Sequence, residues 1–403
     1  MARTRRKALW IGPETGYDAG PSGGSTMLYL PALSIGQVKD TQAILPTDYF
    51  TNRNWPTAPE VGAESWALDF ELPLSGLATN AGVGAPIADD GYDVLFSHAF
   101  GLQTNVTGLN IASTTANTVT WDASASSMND LFPIFDASIT VTGGNRTQWQ
   151  FFTTSGNNHV PSFVTNPTAT AIGYSHKNYR FDDDGGTSAV LVLRQDDIDY
   201  ALTGGRVTAM SITAEVGQIA RLKVSMAGTT KLEQGNGGGA NLTPATPIYS
   251  GMPTPVQFTR FLKTLLSPVW FDGTRYATRK IEVDFGITSA PLESTEAAQG
   301  RAGFEFIGAK PTIMIEPLYA DSFNTIKSTP TRGRMLLQFG AGLVSGGMLN
   351  SCAIHCDEAQ LIEADPSDDQ GRVRQALKFQ VSDPVINSGT ATYGAVPIQM
   401  SRA

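Results

Sequence analysis

The clearest pattern of hydrophobic and polar positions lies between Gly205 and Gly228 and predicts a β-hairpin. Apolar and polar residues alternate along its second strand, where Arg221, Lys223 and Ser225 separate the apolar positions. The apolar positions are Ala220, Leu222, Val224 and Met226. A period of two indicates a strand with one buried and one solvated face. The turn is expected around Val216-Gly217.

The rest of the first 235 residues is also predicted to be mostly strands, with one helix. Residues 27–39 and the alternating 65–74 each predict a strand, and the continuously apolar 189–194 predicts a strand covered on both faces. Tyr92, Leu95, Phe96 and Ala99 follow Asp89-Asp90 and precede Gly101. This spacing, with an Asp cap and a Gly stop, predicts a short amphipathic helix.

A run of Gly, Pro, Ser and Thr at 235–254 predicts a linker and divides the chain. We expect one domain over residues 1–240 and a second over 255–403. A Thr-, Ser-, Asn- and Gly-rich stretch at about 102–166 is expected to be a surface insertion with strands of its own, including 138–142 and 148–153. In the second domain, strands are predicted at 279–287, 304–307, 311–317, 334–339, 352–362 and 372–382, a helix after Asp321, and an acidic loop at 365–369.

The two parts show their predicted elements in the same order, which favours an internal duplication. The closing strands are the most similar pieces, ARLKVSMAG at 220–228 and QALKFQVSD at 375–383. Each places a Lys between apolar residues, at Lys223 and Lys378. The sequence therefore predicts two copies of one β unit.

Composition and charge narrow the classes of partner. The 403 residues are 41% hydrophobic and 16% charged, with a net charge of −9. An acidic chain is poorly suited to gripping nucleic acid, which requires clustered Lys and Arg. No apolar run approaches the length of about 18 residues that indicates a membrane helix, and the basic start MARTRRKALW lacks the apolar core of a signal peptide. We therefore expect a protein that is made in the cytosol and not secreted by the usual route.

The basic residues Arg3, Arg5, Arg6 and Lys7 leave three interpretations open. They form a solvated arm, an arm that docks on an acidic neighbouring subunit, or a nucleic-acid contact.

Candidate chemistry in the sequence favours packing over catalysis. The segment CAIHC holds the two cysteines, Cys352 and Cys356, with His355 between them; this is too few ligands for a zinc site, and buried thiols are expected. The segment FDDDGG at 181–186 lacks the ligand spacing of an EF-hand and predicts a turn. No motif of a hydrolase, metalloprotease, P-loop or dinucleotide fold occurs. No catalytic, cofactor-binding or metal residue is predicted, and no activity is expected to depend on a histidine. The histidines are His98, His159, His176 and His355.

Several segments, taken in order, resemble one known family. KALWIGPETGYDAGP resembles the opening strand and following P-E-T segment of tail tube proteins of long-tailed bacteriophages, with a small departure in PETGYDAG. SWALDFELPLSG is similar to the family's alternating strand that ends in Gly, and APIADDGYDVLFSHAFG to its polar turn and short helix. DIDYALTGGRVTAMSITAEVGQIARLKVSMAG carries the most specific likeness, a Gly-Arg strand, a turn and a closing apolar-basic strand. The likeness covers most of the chain but not the insertion at 102–166.

The resemblance implies a mainly β protein of tandem β-sandwich or barrel domains, each with a short flanking helix. Family members form stacked rings around a channel, from six single-domain subunits or from three duplicated ones. The predicted duplication favours a homotrimer with pseudo-sixfold symmetry. The implied role is a structural virion protein of the phage tail, made in the host cytoplasm. The implied partners are further copies of the chain, the tape measure, the tail terminator and distal tail proteins. DNA would pass through the lumen without specific binding, and neither a cofactor nor a membrane is implied.

Two other classes remain open at this stage. One is another virion component, either a tail terminator or a capsid decoration protein; the other is a secreted carbohydrate-binding β-protein. If the chain forms a tube, the carboxylates that alternate with apolar residues are expected to line a negative bore that repels phosphate. They include Asp69, Glu71, Glu282 and Asp284. The arm from Arg3 to Lys7 is then expected to lie outside that bore.

Overall fold

The structure is a computed structural model. It describes residues 7–14, 16–18, 27–45, 60–77, 89–106, 109–114, 119–121, 130–141, 144–155, 158–161, 172–173, 176–181, 187–196, 198–235, 249, 252–253, 261–262, 264, 267–272, 274–296, 301–317, 332–340, 350–369, 372–382 and 398–403.

The described chain is mainly β, as predicted, with one helix among the described residues. The first part contains β1 (Lys7–Pro13), β2 (Leu28–Leu30), β3 (Ser34–Ile35), β4 (Lys39–Leu45), β5 (Glu60–Pro73), α1 (Gly91–Phe100) and β6 (Gly101–Val106). The inserted strands are β7 (Leu109–Thr114), β8 (Val119–Trp121), β9 (Asp130–Val141), β10 (Gly144–Ser155), β11 (Asn158–Pro161) and β12 (Ile172–Gly173). There follow β13 (His176–Phe181), β14 (Ala189–Gln195), β15 (Ile198–Glu215), β16 (Arg221–Gly228) and β17 (Thr230–Gly235).

The second part continues with strands alone among the described residues. They are β18 (Val269–Phe271), β19 (Thr274–Tyr276), β20 (Thr278–Asp284), β21 (Ile287–Glu293), β22 (Arg301–Ala309), β23 (Thr312–Pro317), β24 (Arg332–Phe339), β25 (Cys352–Asp369), β26 (Arg372–Val381) and β27 (Gln399–Arg402).

The hairpin predicted from period-two alternation is confirmed as β15 and β16. Leu222, Val224 and Met226 are buried, whereas Arg221 and Lys223 are exposed. The same alternation holds in β5, and β14 is buried on both faces as predicted. Local periodicity was sufficient here because each strand buries one whole set of alternate side chains.

The predicted helix is confirmed as α1, and its ends have the expected chemistry. Asp90 is the N-cap: its side chain accepts from the Asp93 backbone N–H, and the Asp93 side chain accepts from the Asp90 backbone N–H. This reciprocal pair satisfies two N–H groups that a helix start would otherwise leave without partners. At the other end Gly101 has φ 96°, a conformation that favours glycine.

Three sequence predictions are wrong in detail. The strand predicted over 27–39 is divided into β2, β3 and the start of β4, with Pro31 in the first gap. The strand predicted over 279–287 ends at Asp284, and Gly286 turns the chain with φ 57°, where an added Cβ would lie 2.2 Å from the Lys310 carbonyl oxygen. The acidic segment 365–369 is not a loop, because it pairs with β26 and completes β25. The predicted helix after Asp321, residues 182–186 and most of the predicted linker lie outside the described residues.

One large sheet runs across both parts of the chain, and we call it the front sheet. It contains β3 and β4 beside β5, then β16, the second half of β15, β20, β23, β26 and the second half of β25. Every pairing is antiparallel. The link between the two parts is the pairing of β15 with β20, so no edge separates them within this sheet.

Two further groups of strands are joined to the front sheet through β15 and β25, within one continuous 19-stranded sheet, and share its core. The first contains β2, β1, β14, the first half of β15 and β17. The second contains β19, β18, β24, the first half of β25, β27, β13 and β6. One cluster of buried side chains includes members from both parts, such as Leu222, Ile313 and Phe379. The two parts therefore stabilise each other through one core.

The two parts of the chain contain the same pairings in the same chain order. In the first, β1 pairs with β2 and β14, β14 with β15, β15 with β16 and β17, and β5 with β3, β4 and β16. In the second, β18 pairs with β19 and β24, β24 with β25, and β25 with β26 and β27. In the second part, the two strands β22 and β23 together correspond to the single strand β5. β21 pairs with β22 as β4 pairs with β5, and β20 and β26 pair with β23 as β3 and β16 pair with β5.

The insertion predicted near 102–166 does have strands of its own, but they lie within 109–173, because residues 101–106 form β6 and pair with β13 in the main sheet. Strands β7 to β12 close into a small barrel through antiparallel pairings. It interrupts the chain between α1 and β14, where the second part has no counterpart among the described residues.

A buried ionic cluster fastens the end of the described chain to the first part. The Arg402 guanidinium contacts Asp90 Oδ2 at 2.8 Å and Asp93 Oδ1 at 2.7 Å, and it donates to the carbonyls of Ser75 and Gly76. Lys177 Nζ lies 2.7 Å from Asp93 Oδ2. Burial would raise the pKa of Asp90, but the charge and hydrogen bonds of Arg402 prevail and hold that pKa below its usual value.

We predict that Arg402→Met will destabilise the protein by about 3–5 kcal/mol, because two carboxylates would remain buried without their main counter-ion. The matched control is Arg221→Met, which removes an Arg pair with Glu71 of 3.0 Å on the exposed front face. An exposed pair contributes about 0–1 kcal/mol. Chemical denaturation of both variants measures the free energies of unfolding, and equal losses would contradict the central role of the cluster.

Candidate functional site

Rows of mostly polar side chains cross the outer face of the front sheet. One row runs through Glu71, Lys223, Ser211, Asp284, Thr312 and Gln380. The next row runs through Arg221, Thr213, Glu282, Met314, Lys378 and Glu363. Because opposed residues of paired strands lie on the same face, both parts of the chain contribute to one polar surface. We call this surface the front face.

The four carboxylates singled out in the sequence lie together on the front face. Asp69 and Asp284 are exposed, and Glu71 and Glu282 are half-buried. Each of three has a nearby cation: Lys39 Nζ lies 3.6 Å from Asp69, Arg221 3.0 Å from Glu71, and Lys280 2.6 Å from Glu282.

Acids and bases are almost balanced in number on this face. The acids are Asp69, Glu71, Glu215, Glu282, Asp284, Glu316 and Glu363, and the bases are Lys39, Arg221, Lys223, Arg279, Lys280 and Lys378. Such exposed pairs contribute little to stability and remain hydrated. The described face is thus a hydrophilic surface of paired charges, and it is less negative than the sequence pattern suggested. Most of the net charge of −9 therefore comes from residues outside the described front face.

Lys7 is the described member of the predicted basic arm, and it lies beside β3. Its Nζ donates to the carbonyls of Ile35 at 2.9 Å and Gly36 at 2.8 Å. Arg3, Arg5 and Arg6 lie outside the described residues. Lys7, the described end of the arm, therefore lies next to one end of the front sheet.

The segment CAIHC forms the start of β25 and faces a buried environment. Cys352 and Cys356 are free thiols in the core. Burial raises the pKa of the Cys352 thiol to about 12 and lowers the pKa of the His355 imidazole to about 3. Within the described residues, no group of three or more His, Cys, Asp or Glu side chains could hold a metal ion. These groups are packed as neutral side chains.

The other histidines that the structure describes are also buried. The His98 ring nitrogens lie 2.6 Å from the Val94 carbonyl oxygen and 2.9 Å from that of Ser188, and His176 is completely buried. His159 lies in β11, outside the residues whose side chains are described. Both described histidines are placed to support packing, since neither is open to solvent.

Sequence reasoning missed the buried ionic cluster around Arg402. The residues next to Arg402 and Lys177 in the sequence form no pattern that predicts an ionic site. Asp93, which pairs with Arg402, lies 309 positions away in the chain. The only signal was the pair of acids at the start of α1, which a helix cap already explains. Contacts over such sequence distances depend on the fold and have no local pattern.

Comparison with known proteins adds no assignment. No protein-family model matches the chain, and no significantly similar curated protein was found. Across the described residues, no helix is both long enough and apolar enough to span a bilayer.

We predict that Cys352 and Cys356 will not react with a thiol reagent in the native protein, because both are buried and their thiol pKa values are raised. Both should react after denaturation. As a positive control, Ala209→Cys places a thiol on the exposed front face and should react at once in the native protein. A native reaction of the wild-type thiols at the rate of that control would show that this part of β25 opens.

Proposed function

We propose that this protein is a structural subunit that assembles head to tail into rings, and that stacked rings form the tail tube of a long-tailed bacteriophage. The observation that carries the proposal is the repeated strand pairing of the two parts, joined by one continuous sheet through β15 and β20. A subunit that already joins two copies of one β unit edge to edge can add further copies in the same way.

The repetition supports a ring over a pair. Two equal units related by a head-to-tail contact keep one free edge at each end, so growth continues until rotation closes the assembly. Under the family resemblance, three chains supply six units in tandem β-sandwich domains. The first domain would be residues 1–240 with its insertion, and the second 255–403.

The front face suits the wall of a DNA channel. Its rows of hydrated polar groups and paired charges offer no basic cluster to hold phosphates. With one acid more than bases among its described charges, the bore would carry a weak net negative charge, whose effect on DNA reaches about 10 Å at ~0.1 M salt. Asp69, Glu71, Glu282 and Asp284 would then line the lumen, with the arm from Arg3 to Lys7 at ring contacts or outside. DNA would pass without specific binding.

The remaining roles follow from that position in the virion. The partners would be other copies of the chain, the tape measure protein, the tail terminator and distal tail proteins. The subunit would carry out no reaction and need no cofactor. A tail terminator or capsid decoration protein, or a secreted carbohydrate-binding protein, is the alternative.

Electron microscopy of the purified protein separates these functions, and we predict long hollow tubes. Native mass measurement of one ring should give three chains. A single ring that never stacks would indicate a terminator, and a monomer would remove the tube function. A ring of six full-length chains would keep the tube but contradict the pseudo-sixfold arrangement.

We also predict that the front face points into the bore. In assembled tubes, Ala209→Cys should react with a small maleimide but not with a maleimide carried on a large polymer that cannot enter the channel. Gln234→Cys, which is exposed on β17 outside the front sheet, is the control and should react with both. Both variants should react with both reagents as monomers, and polymer labelling of Ala209→Cys in tubes would place the front face outside.

A further inference from the structure

Buried polar atoms with unused hydrogen-bonding capacity gather around Tyr17. The hydroxyls of Tyr17 and Thr229 and the Nε of Arg301 are buried, and none makes a hydrogen bond of normal geometry with a described residue. Thr229 is only 2% exposed. The two hydroxyls lie near each other and against Gly204, where an added Cβ would collide with the Thr229 hydroxyl and lie 3.1 Å from that of Tyr17. Because buried polar atoms pair with protein, water or ligand, this region has room for a polar partner.

A pocket of about 250 Å³ lies beside Tyr17, and we call it the Tyr17 pocket. Its lining is mostly polar and comes from both parts of the chain, because Phe304 belongs to β22. Glu14 is 9% exposed, whereas Thr187 is exposed, so the pocket has a buried side and a solvated side. The described side chains that line it are Glu14, Tyr17, Thr187, Ser188, Arg206 and Phe304.

The turn that forms one wall of the Tyr17 pocket is held in place by hydrogen bonds. Glu14 Oε1 accepts from the Gly204 N–H at 2.7 Å, and Glu14 Oε2 accepts from the Asp18 N–H at 3.2 Å. Asp18 has φ 58°, which is uncommon for a residue with a side chain, and it accepts from the Thr230 hydroxyl at 2.8 Å. Strained backbone of this kind is found at binding sites, where a wall that is already ordered lowers the cost of binding.

Charges of both signs at the Tyr17 pocket disfavour a simple ion. Glu14 supplies a carboxylate, and Arg206, whose Nη1 donates to the Phe304 carbonyl at 2.8 Å, supplies a guanidinium. An anion would be attracted by Arg206 and repelled by Glu14, and a cation would meet the reverse. The Glu14 oxygens also accept from two N–H groups already, which makes them poor ligands for a metal. The pocket therefore suits a neutral polar ligand.

Hydroxyl groups match this lining because each one both donates and accepts hydrogen bonds. A ligand hydroxyl can donate to the Glu14 carboxylate and accept from the Arg206 guanidinium, and the lining hydroxyls can do either. Tyr17 and Phe304 add aromatic rings, whose faces cover apolar C–H groups. The volume is below the roughly 300–1,000 Å³ of pockets for drug-sized ligands, which limits the ligand to about one ring. A single sugar unit combines these properties.

We propose that the Tyr17 pocket binds one neutral sugar unit. Glu14 accepts from the sugar hydroxyls, Arg206 donates to them, and Tyr17 and Phe304 flank the ring. The site lies within a single chain, so it goes beyond the proposed function and needs neither a ring nor a tube. The unit is either a free monosaccharide or the end of a glycan, since both present the same hydroxyl chemistry.

Ligand-observed NMR of the full-length protein tests the site. The probes are glucose, galactose, mannose and N-acetylglucosamine, each also offered as the terminal unit of an oligosaccharide, with phosphate and calcium as ionic probes. At least one sugar should bind with a dissociation constant in the millimolar range, as expected for a ligand of about a dozen non-hydrogen atoms. Tighter binding of the oligosaccharide would identify the end of a glycan as the source, and equal binding would identify the free sugar.

A substitution at the mouth of the pocket links binding to this site. Thr187→Trp should abolish sugar binding, because the indole would occupy the pocket, and the exposed position leaves the core unchanged. The matched control is Thr274→Trp, at an exposed threonine of β19 that is outside the lining, and it should bind sugar as the wild type does. Thermal unfolding of both variants checks that they are folded.

The outcomes either support the site or overturn it. Sugar binding that Thr187→Trp removes and Thr274→Trp keeps supports the proposal. Sugar binding that both variants keep would place the ligand elsewhere and overturn it. Binding of phosphate or calcium that Thr187→Trp removes would show a pocket for an ion, and no binding by any probe would show that these groups pair with water alone; both results would overturn it. None of these results depends on whether rings or tubes form.

Discussion

The buried guanidinium of Arg402 is the interaction on which the arrangement of the two parts depends. It brings the last described strand, β27, against the helix start at Asp90 and Asp93 and against β13. A charge removed from water is tolerated only when opposite charges and hydrogen bonds surround it. Here two carboxylates and two backbone carbonyls meet that need. The cluster therefore holds β27 in place only if the first part is already folded.

The second constraint is the continuity of the front sheet. Because β15 accepts β20, the two parts cannot separate without exposing the edges of both strands. The ionic cluster joins β27 to the first part, and the pairing of β15 with β20 joins the two parts within the front sheet. Together they fix the relation between two β units, and that relation is what a ring of such units would repeat.

The proposed function follows from edges and faces, without a reactive group. The front face is polar in both parts because alternate residues of each strand point away from the shared core. The ends of the sheet carry the exposed Leu33 and Ile362. Under the proposed function, this polar face would form the wall of the channel.

The sequence alone determined the elements whose causes are local. Period-two alternation predicted β5, β15 and β16, and the Asp cap with a Gly stop predicted α1, because these signals depend on neighbours a few residues apart. It also placed Asp69, Glu71, Glu282 and Asp284 on solvated faces. The tertiary structure decided that these carboxylates share one face with Lys39, Arg221 and Lys280, that 365–369 is a strand, and that Arg402 is buried. Each of these depends on pairing between strands far apart in the chain, and the register of such pairing is set by the packed core, not by any local pattern.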